Sequence, residues 1–353
     1  MKVLYLSNIE VPYRVSFFNE LSKHVKLTVL YERKRSDDRD LLWSKSVKGG
    51  CNVEFLEGIK LGADNSFSFD VCSVLDRGWD VVLVGCVNSF VQLFAMGYMR
   101  AKKIPYFINL DGEFFLRDDI KSKIKLRVLK SACGCLIAGE RAGMVLRKKM
   151  GGDVCIKPYY FSSLNRYEVE LNIKHQVTRE NYVLLVGRYL DVKGLDVAFR
   201  AASMDSNIRY KFVGMGNRTE QFRKDMGDIP PNIEIIPFLQ KEDLEEEYKK
   251  CSLLLLPSRQ ECWGLVINEA ASFGTPIVST WGCGAAVEFL SGKYEKYLAE
   301  IGSAESLLKC IKACIESNKT EYSNYLKEMS KKYTIERMVE CHVSAFNQML
   351  ICR

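Results

Sequence analysis

The sequence predicts an α/β protein with two doubly wound, parallel-sheet, Rossmann-like domains. Three observations support this prediction. Short apolar runs alternate with amphipathic segments, each run is continuously apolar, and the alternation stops once and then restarts. A continuous apolar run is typical of a strand that is buried on both faces of a parallel sheet. The chain has 353 residues, which is enough for two domains of about 150 residues each.

The first half of the chain contains five apolar runs that we predict to be strands. They are Val3–Ser7, Leu27–Tyr31, Val81–Val84, Tyr106–Asn109 and Leu136–Ala138. The segment Val15–Lys23 has apolar residues at helical spacing, so we predict a helix between the first two strands. The polar stretch Ser162–Asn181 interrupts the alternation, and we interpret it as a linker. The first domain is therefore predicted to span residues 1–165.

The second half repeats this arrangement with five further runs. They are Tyr182–Gly187, Arg209–Gly214, Ile233–Ile236, Leu253–Pro257 and Ile277–Thr280. The second domain is predicted to span residues 180–333, and the pattern of Thr334–Leu350 predicts a helix after it. Sheets of this type bind ligands at the carboxyl ends of their strands. We expect the two domains to face each other across one cleft.

Composition excludes several other classes of protein. The chain is 47% hydrophobic and 27% charged, as in globular rather than disordered proteins. No apolar run reaches the roughly 18 residues that cross a bilayer. The 13 cysteines form no C-x-x-C pair and the three histidines lie far apart, which gives a metal site little support. We expect reduced, mostly buried thiols in a cytoplasmic protein.

Polar and glycine residues gather after the predicted strands of the second half. They lie at Gly187–Arg188 with Lys193–Gly194, at Gly214–Gly216, at Pro257–Gly264 and at Trp281–Glu288. A helix that begins near Gly264 would direct backbone N–H groups and its positive dipole end at a phosphate. Arg188 and Lys193 would complement a diphosphate, and Glu269 could accept hydrogen bonds from a ribose diol. The carboxyl edge of the second sheet is therefore predicted to bind a nucleotide diphosphate that carries a hydroxyl-bearing group.

The stretch ECWGLVINEA, followed by GTPIVS, places seven residues between Glu261 and Glu269. It resembles the E-x7-E signature of the retaining GT-B glycosyltransferases, the "glycosyl transferases group 1" of glycosyltransferase family four. The G-R-x4-K-G stretch at 187–194, the V-G-x-G at 213–216 and the element at 282–288 also match in order. In the first half, PYRVSFFNEL at 12–21 is similar to a motif in one branch of the family.

The resemblance implies a role for each matching residue. Arg188 and Lys193 would hold the donor diphosphate and stabilise its charge as the leaving group. Glu261 would contact the transferred sugar, and Glu269 would bind the ribose. The further donor-binding positions are Gly214, Gly216, Cys262, Trp263, Gly264 and Leu265. The family retains anomeric configuration and needs no protein nucleophile, so we expect neither a cofactor nor a metal beyond the UDP- or GDP-linked sugar.

The first half departs from the family pattern. Many members carry a His-Asp pair after a mid-domain strand, whereas this chain has Asn109-Leu110-Asp111-Gly112-Glu113. We expect Asp111 to keep part of that role, facing the sugar or the acceptor hydroxyl, although it could equally cap the following segment. Asp38 and Asp40 form a D-x-D, but they lie in a charged run that we interpret as a solvated loop without a metal.

The excess of positive over negative charge lies in the first half of the chain. Residues 1–160 contain 26 Lys and Arg against 18 Asp and Glu, a balance of +8, within a chain whose net charge is +7. The segment Arg117–Lys130 combines an apolar stripe with several cations. It is either a packed helix with a solvated outer face or a helix that adsorbs to an anionic membrane. We expect a peripheral location on the inner face of the cytoplasmic membrane and no nucleic-acid partner.

The predicted function is that of a retaining hexosyltransferase. It would move a sugar from a nucleotide diphosphate donor to a glycan acceptor, on a polyprenyl carrier, in surface polysaccharide synthesis (O-antigen, capsule or exopolysaccharide). Two alternatives remain open from the sequence. One is another GT-B enzyme, such as a nucleotide-sugar epimerase or a soluble glucan synthase, and the other is a non-catalytic paralogue that binds nucleotide sugars. The resemblance further implies that the helix over 334–353 packs back on the first domain.

Overall fold

The computed structural model separates the chain into two compact units. The first unit is Met1–Ser163 together with Ile335–Arg353, and the second is Leu164–Thr334. The residues that the structure describes are 1–33, 50–61, 65–112, 123, 127, 129–151 and 155–351. Asp38 and Asp40 lie outside the described residues, as does most of Arg117–Lys130.

The described part of the first unit contains a parallel sheet of seven strands and a small antiparallel hairpin. The strands are β1 (Lys2–Ser7), β2 (Lys26–Tyr31), β3 (Asn52–Phe55), β4 (Ile59–Leu61), β5 (Asn65–Phe67), β6 (Val81–Val84), β7 (Phe107–Leu110), β8 (Gly134–Ala138) and β9 (Ile156–Tyr159). The sheet order is β3-β2-β1-β6-β7-β8-β9, and β4 pairs with β5. The strand order therefore reverses between β1 and β6.

Helices of the first unit alternate with these strands. They are α1 (Pro12–Leu21), α2 (Asp70–Leu75), α3 (Phe90–Lys102) and α4 (Glu140–Met150). Pro12 occupies the first position of α1, where its missing N–H costs no hydrogen bond. Ser89 caps α3 by accepting a hydrogen bond from the Gln92 backbone N–H. Apolar side chains from β1, β6, β7 and β8 are fully buried between the helices, because helices cover both faces of a parallel sheet.

The second unit has a six-stranded parallel sheet. Its strands are β10 (Tyr182–Val186), β11 (Arg209–Val213), β12 (Ile233–Ile236), β13 (Leu253–Leu256), β14 (Ile277–Thr280) and β15 (Leu298–Ala299). Its helices are α5 (Arg166–Lys174), α6 (Leu195–Ser203), α7 (Thr219–Met226), α8 (Lys241–Lys250), α9 (Leu265–Ser272), α10 (Gly284–Leu290), α11 (Ala304–Ile315) and α12 (Lys319–Ser330). The order β12-β11-β10-β13-β14-β15 reverses between β10 and β13.

One further helix, α13 (Ile335–Ile351), follows the second unit but belongs to the first. It packs against α1 and β9. The chain therefore passes between the two units twice, once after Ser163 and once after Thr334.

The predicted fold class, two doubly wound parallel sheets, is confirmed. All ten predicted strands are present within one or two residues of their expected limits, whereas β3, β4, β5, β9 and β15 are additional. The stretch whose composition predicts a linker, Ser162–Asn181, contains α5, and from Leu164 onward it lies in the second unit. A capping box between Asn165 and Glu168 starts this helix. The helix has no broad apolar stripe, because only Val169 and Asn172 of its residues are buried.

The described helices and cysteines add two findings. None of these helices is long and apolar enough to cross a membrane. The twelve cysteines in the described part of the chain are all free thiols, five of them buried.

Candidate active site

Two loops meet where the strand order of the second sheet reverses. One follows β10 and contains residues 187–194, and the other follows β13 and contains residues 257–264. In an open parallel sheet, the crevice outside the carboxyl ends of the two strands at such a reversal is the usual ligand site. Both loops carry residues for which the sequence predicts a role.

The backbones of these two loops are in direct contact. Val192 O accepts hydrogen bonds from the backbone N–H groups of Arg259 (2.8 Å) and Gln260 (3.1 Å). Gly194 has a φ of +66°, and a Cβ on it would lie 2.2 Å from the Pro257 carbonyl oxygen. A larger residue at position 194 would therefore force the loops apart.

This contact brings Lys193 and Glu261 together. Lys193 ends a short 3-10 turn, Asp191–Lys193, and its Nζ forms an ion pair with Glu261 Oε2. Their side chains are 21% and 18% exposed, so the pair is mostly covered but still reached by solvent. Among the described residues no other hydrogen bond reaches Lys193 Nζ or the Glu261 carboxylate.

A third loop, residues 281–284 after β14, supports Glu261 from the other side. The Glu261 backbone N–H donates to Gly282 O (2.8 Å), and the Gly284 N–H donates to Glu261 O (3.1 Å). A Cβ on Gly284 would lie 2.2 Å from the Cys262 carbonyl oxygen. Glycine at position 284 is needed for this close approach, which fixes the backbone that carries Glu261.

Helix α9 begins at Leu265, directly after the loop of residues 257–264, and its N-cap residue Gly264 has a φ of +101°. The first N–H groups of a helix have no partner within it and carry the positive end of its dipole. Cys262 is exposed, whereas the Trp263 side chain is only 3% exposed and its Nε1–H donates to Asn268 Oδ1 at 2.8 Å. Any contact of Trp263 with a donor would therefore be through its backbone.

Glu269 lies on the second turn of α9, where Tyr248 holds one of its oxygens. The Tyr248 hydroxyl donates to Glu269 Oε2 at 3.0 Å. Burial and the neighbouring Glu269 carboxylate raise the pKa of Tyr248, so the hydroxyl stays protonated as a donor. Arg179 fixes this end of α8, because its Nη1 donates to the Tyr248 carbonyl oxygen (2.5 Å) and to Thr275 Oγ1 (3.0 Å).

The two glycines after β11 use their own N–H groups within the fold. Gly214 N–H donates to Ile236 O (3.2 Å), and Gly216 N–H donates to Pro237 O (2.8 Å). Both have positive φ, +96° and +56°, and Gly214 lies against the backbone of Gly187. These glycines therefore allow backbone segments to approach each other closely at the carboxyl edge of the second sheet. Their N–H groups already donate hydrogen bonds within the fold. Arg188 is exposed and lies two residues after the end of β10.

In the first unit, Asp111 follows β7 and forms an ion pair with Arg14 of α1. The Arg14 side chain is 6% exposed and the Asp111 side chain 30%. The Arg14 guanidinium lies 5.5–6.0 Å from the ring centroids of Tyr5, Tyr13 and Phe161. Burial opposes its charge, but electrostatic attraction to the Asp111 carboxylate and to Tyr5, Tyr159 and Tyr13 outweighs that effect, and the pKa of Arg14 is raised.

Further donors converge on the same oxygen of Asp111. The Tyr159 hydroxyl lies 3.2 Å and Asn109 Nδ2 3.4 Å from Oδ1, the oxygen that Arg14 also contacts. Behind them, His342 of α13 is fully buried, with Nε2 2.6 Å from the side-chain oxygen of Asn109 and Nδ1 2.8 Å from Met338 O. A residue of α13 is thus part of the network that holds Asp111.

The structure brings together some of the predicted residues and adds others. Lys193 meets Glu261, whereas Glu269 and Asp111 each have a partner that the sequence did not indicate. The partners and supports to which the sequence did not point are Tyr159, Arg179, Tyr248, His342 and Asp196, which pairs with Arg259. Arg14 lies in the motif at 12–21 and Arg259 in the stretch Pro257–Gly264, but the sequence indicated no partner for either. In the described part of the chain, no group of three or more His, Cys, Asp or Glu is placed to hold a metal.

Comparison with known proteins finds a family match that lies within the second unit. Residues 168–333 match the family of glycosyl transferases group 1. An uncharacterized glycosyltransferase of Methanocaldococcus jannaschii is 30% identical over 165 residues, covering 45% of this chain and 46% of that protein. The chain spans less than half the length of the first curated relatives it matches, 46% in each case.

Two further matches extend over more of the chain. The N,N'-diacetylbacillosaminyl-diphospho-undecaprenol alpha-1,3-N-acetylgalactosaminyltransferase of Campylobacter jejuni is 24% identical over 254 residues, covering 69% of this chain and 59% of that protein. The solved structure of sucrose-phosphate synthase from Thermosynechococcus elongatus superimposes with a TM-score of 0.70 at 13% identity, covering 100% of both chains. The second match shows the fold, and the chain has the GT-B architecture.

Proposed function

Since the chain belongs, over residues 168–333, to the glycosyl transferases group 1 family and has a GT-B fold, we propose that it is a retaining glycosyltransferase. It transfers a hexosyl group from a UDP- or GDP-linked donor to a hydroxyl of a glycan. The observation that carries this proposal is the Lys193–Glu261 ion pair, formed by the two loops at the strand-order reversal of the second sheet. A cation and a carboxylate next to the start of α9 suit a diphosphate and a sugar.

In this proposal, binding of the nucleotide-sugar donor breaks the ion pair between Lys193 and Glu261, and each of the two residues then contacts a different part of the donor. The diphosphate takes Lys193, together with Arg188 and the first N–H groups of α9. Glu261, released from Lys193, accepts hydrogen bonds from hydroxyls of the transferred sugar. As the glycosidic bond breaks, negative charge develops on the diphosphate, where fixed cations stabilise the transition state without a metal ion.

Glu269 binds the ribose hydroxyls of the donor. Tyr248 fixes one of its oxygens and so orients the carboxylate before the nucleotide arrives. The reaction needs no protein nucleophile in this scheme, because the departing diphosphate assists the incoming hydroxyl on the same face of the sugar.

Asp111 of the first unit faces the acceptor hydroxyl. Its Oδ1 is contacted by Arg14, Tyr159 and Asn109, whereas Oδ2 has no hydrogen bond from the described residues. A carboxylate with one oxygen fixed and the other open can accept a hydrogen bond from a sugar hydroxyl in a defined direction.

We also propose that the acceptor is carried by a lipid. The name of the Campylobacter relative gives a diphospho-undecaprenol-linked sugar. In the first unit, Phe67, Phe69 and Phe94 pack edge to face at 4.9–5.6 Å between ring centroids. Ile59 and Phe90 extend this patch, and Ile59, Phe69 and Phe90 are 74%, 71% and 53% exposed. An exposed apolar patch on a unit with excess positive charge suits the surface of an anionic membrane on its cytoplasmic side.

The donor test measures binding and chemistry separately. Thermal shift with UDP- and GDP-linked hexoses should show stabilisation by one of them, about 2.7 kcal/mol at 100 times the dissociation constant. NMR of the same mixture distinguishes release of nucleoside diphosphate with retained configuration from epimerisation at C2. Binding without any product would support a non-catalytic paralogue, and no binding by any nucleotide sugar would contradict the proposal.

The membrane test uses vesicles with and without anionic lipid. Wild-type protein should sediment with anionic vesicles at low salt and dissociate as salt screens the attraction. Phe69→Ser with Phe90→Ser should weaken binding, while Tyr167→Ser, at a 72% exposed aromatic residue of the second unit, should not. A second variant replaces four cations of the first half by Gln, namely Lys121, Lys123, Lys125 and Arg127. Equal sedimentation with neutral vesicles would contradict a membrane-bound acceptor.

A further inference from the structure

Arg259 connects the two loops of the candidate donor site through its side chain. It lies in the loop after β13, two residues before Glu261. Its Nη1 donates to Asp191 O (2.7 Å) and to Asp196 Oδ1 (2.7 Å), and its Nη2 donates to Asp196 Oδ2 (2.6 Å). One guanidinium thus binds both ends of the six-residue segment that contains Lys193.

The contact between Arg259 and Asp196 fixes the relative orientation of the two side chains. The two parallel N–H···O bonds to Asp196 fix the plane of the guanidinium as well as its position. The side chains of Arg259 and Asp196 are 27% and 31% exposed, so solvent competes with the contact only in part. Burial alone would raise the pKa of Asp196, but the hydrogen bonds and charge of Arg259 lower it, so the carboxylate is charged at neutral pH.

The contact between Arg259 and Asp196 affects the position of Lys193, although Lys193 takes no part in it. Lys193 lies between Asp191 and Asp196, and Glu261 lies on the loop that carries Arg259. The distance between the lysine and the glutamate therefore depends on the position of Arg259. Binding sites tolerate displacements of only about 0.5 Å in their contacting groups, whereas a partly exposed ion pair contributes little to overall stability.

We infer that Arg259, through Asp196, is a positioning residue for the donor diphosphate. It holds Lys193 where the diphosphate can replace Glu261 as its partner. This inference rests on the proposed function, and it adds a residue pair to the donor site that touches neither the nucleotide nor the sugar.

The test is a double-mutant cycle with Arg259→Gln, Asp196→Asn and the two together. Calorimetry measures the affinity for UDP and GDP, and for uridine and guanosine, which lack phosphate. Each single variant should weaken binding of the preferred nucleoside diphosphate about 5- to 10-fold and leave nucleoside binding unchanged. Because both changes break the contact between Arg259 and Asp196, the double variant should bind no more weakly than Arg259→Gln alone. The KM for the donor should rise more than kcat falls.

Arg200→Gln is the matched control. Arg200 also pairs with Asp196, at 3.5 Å, but its side chain is 59% exposed, and no described contact joins it to residues 191–193. Its removal should leave the affinity for UDP and GDP at the wild-type value. Loss of affinity in this variant equal to that of Arg259→Gln would show a general effect of charge and would overturn the inference.

The remaining outcomes separate the inference from the proposed function. If the wild-type protein binds neither UDP nor GDP, the proposed function fails first. If it binds one of them and Arg259→Gln binds equally well, the positioning role is wrong. Additive losses in the double variant would mean that Arg259 contacts the ligand itself, which also overturns it. Should Arg259→Gln not fold, Arg259→Lys keeps the charge without the two parallel bonds, and wild-type affinity in that variant would overturn the inference.

Discussion

Each unit has an ion pair at the carboxyl edge of its sheet, but the two pairs are built differently. Lys193 and Glu261 are 21% and 18% exposed and come from two loops, with no other hydrogen bond from the described residues to their charged groups. Arg14 is 6% exposed and belongs to a helix, and aromatic rings surround its guanidinium. The first pair can exchange partners at little cost, whereas the second is fixed before any ligand binds.

The difference follows from the number of bonds that each carboxylate makes. A charge with a single partner near solvent can give that partner to a ligand, because water and the ligand compensate for the loss. A buried cation such as Arg14 cannot do this, since loss of its carboxylate partner leaves its charge without compensation. Under the proposed function, we expect the pair in the second unit to open when the donor binds and the pair in the first unit to stay in place when the acceptor binds.

Arg14→Leu should give the largest effect on stability. It leaves the Asp111 carboxylate without its cation, at a cost of about 3 kcal/mol in the free energy of unfolding. Chemical denaturation measures this loss, and the double variant Arg14→Leu with Asp111→Asn should recover part of it. Arg77→Leu is the control, because the Arg77–Glu54 pair is 48% and 27% exposed and should cost less than about 1 kcal/mol. A similar small cost for both variants would remove the contrast between the units.

Glu261→Gln should reduce turnover about 10²- to 10³-fold, the usual cost of one contact that acts in the transition state. The same change should raise the affinity for UDP or GDP about two- to five-fold, since Lys193 loses a competing partner worth up to about 1 kcal/mol. Calorimetry and a donor-hydrolysis assay measure the two effects. The control is Glu247→Gln, because Glu247 pairs with Lys211 at similar exposure, 15% and 23%. Weaker diphosphate binding in Glu261→Gln would show that the pair does not exchange.

His342→Leu tests how far the fixed network of the first unit extends. It removes the contacts to Met338 and Asn109, and the unsatisfied groups should cost about 1–3 kcal/mol in the free energy of unfolding. Because Asn109 also contacts Asp111, transfer to an acceptor should fall while binding of UDP or GDP is unchanged. His24→Leu, at an exposed histidine of the same unit, is the control. An unchanged stability would mean that His342 only fills space.

Tyr248→Phe should give the smallest effect, which falls on the second unit. Glu269 loses one hydrogen bond, worth about 1 kcal/mol, so the affinity for uridine or guanosine should fall by a factor of about five. Tyr182→Phe provides the comparison, because the Tyr182 hydroxyl donates to Glu247 Oε2 at 2.7 Å, away from Glu269. Equal losses in both variants would contradict a specific role for Tyr248 in orienting Glu269.

The sequence predicted the second unit better than the first for a physical reason. Its candidate site depends on loops that each follow a strand, so a short motif contains both the glycine that permits close approach and the charged residue that it positions, as at Lys193–Gly194. In the first unit, Asp111 is held by Arg14, Tyr159 and, through Asn109, His342. No spacing rule joins Asn109 to His342, which are 233 positions apart, and their contact depends on the packing of α13 against the first unit.

The double passage of the chain between the units sets an order of assembly during translation. The second unit is one continuous segment, so all its strands have left the ribosome once Thr334 has emerged. The first unit is still incomplete at that time, because α13 has not been synthesised and the core beside α1 and β9 has no cover. The unit whose synthesis begins first is therefore the last to be completed. Until α13 docks, His342 is missing from the network behind Asp111, and the nascent chain has a complete second unit and an incomplete first unit.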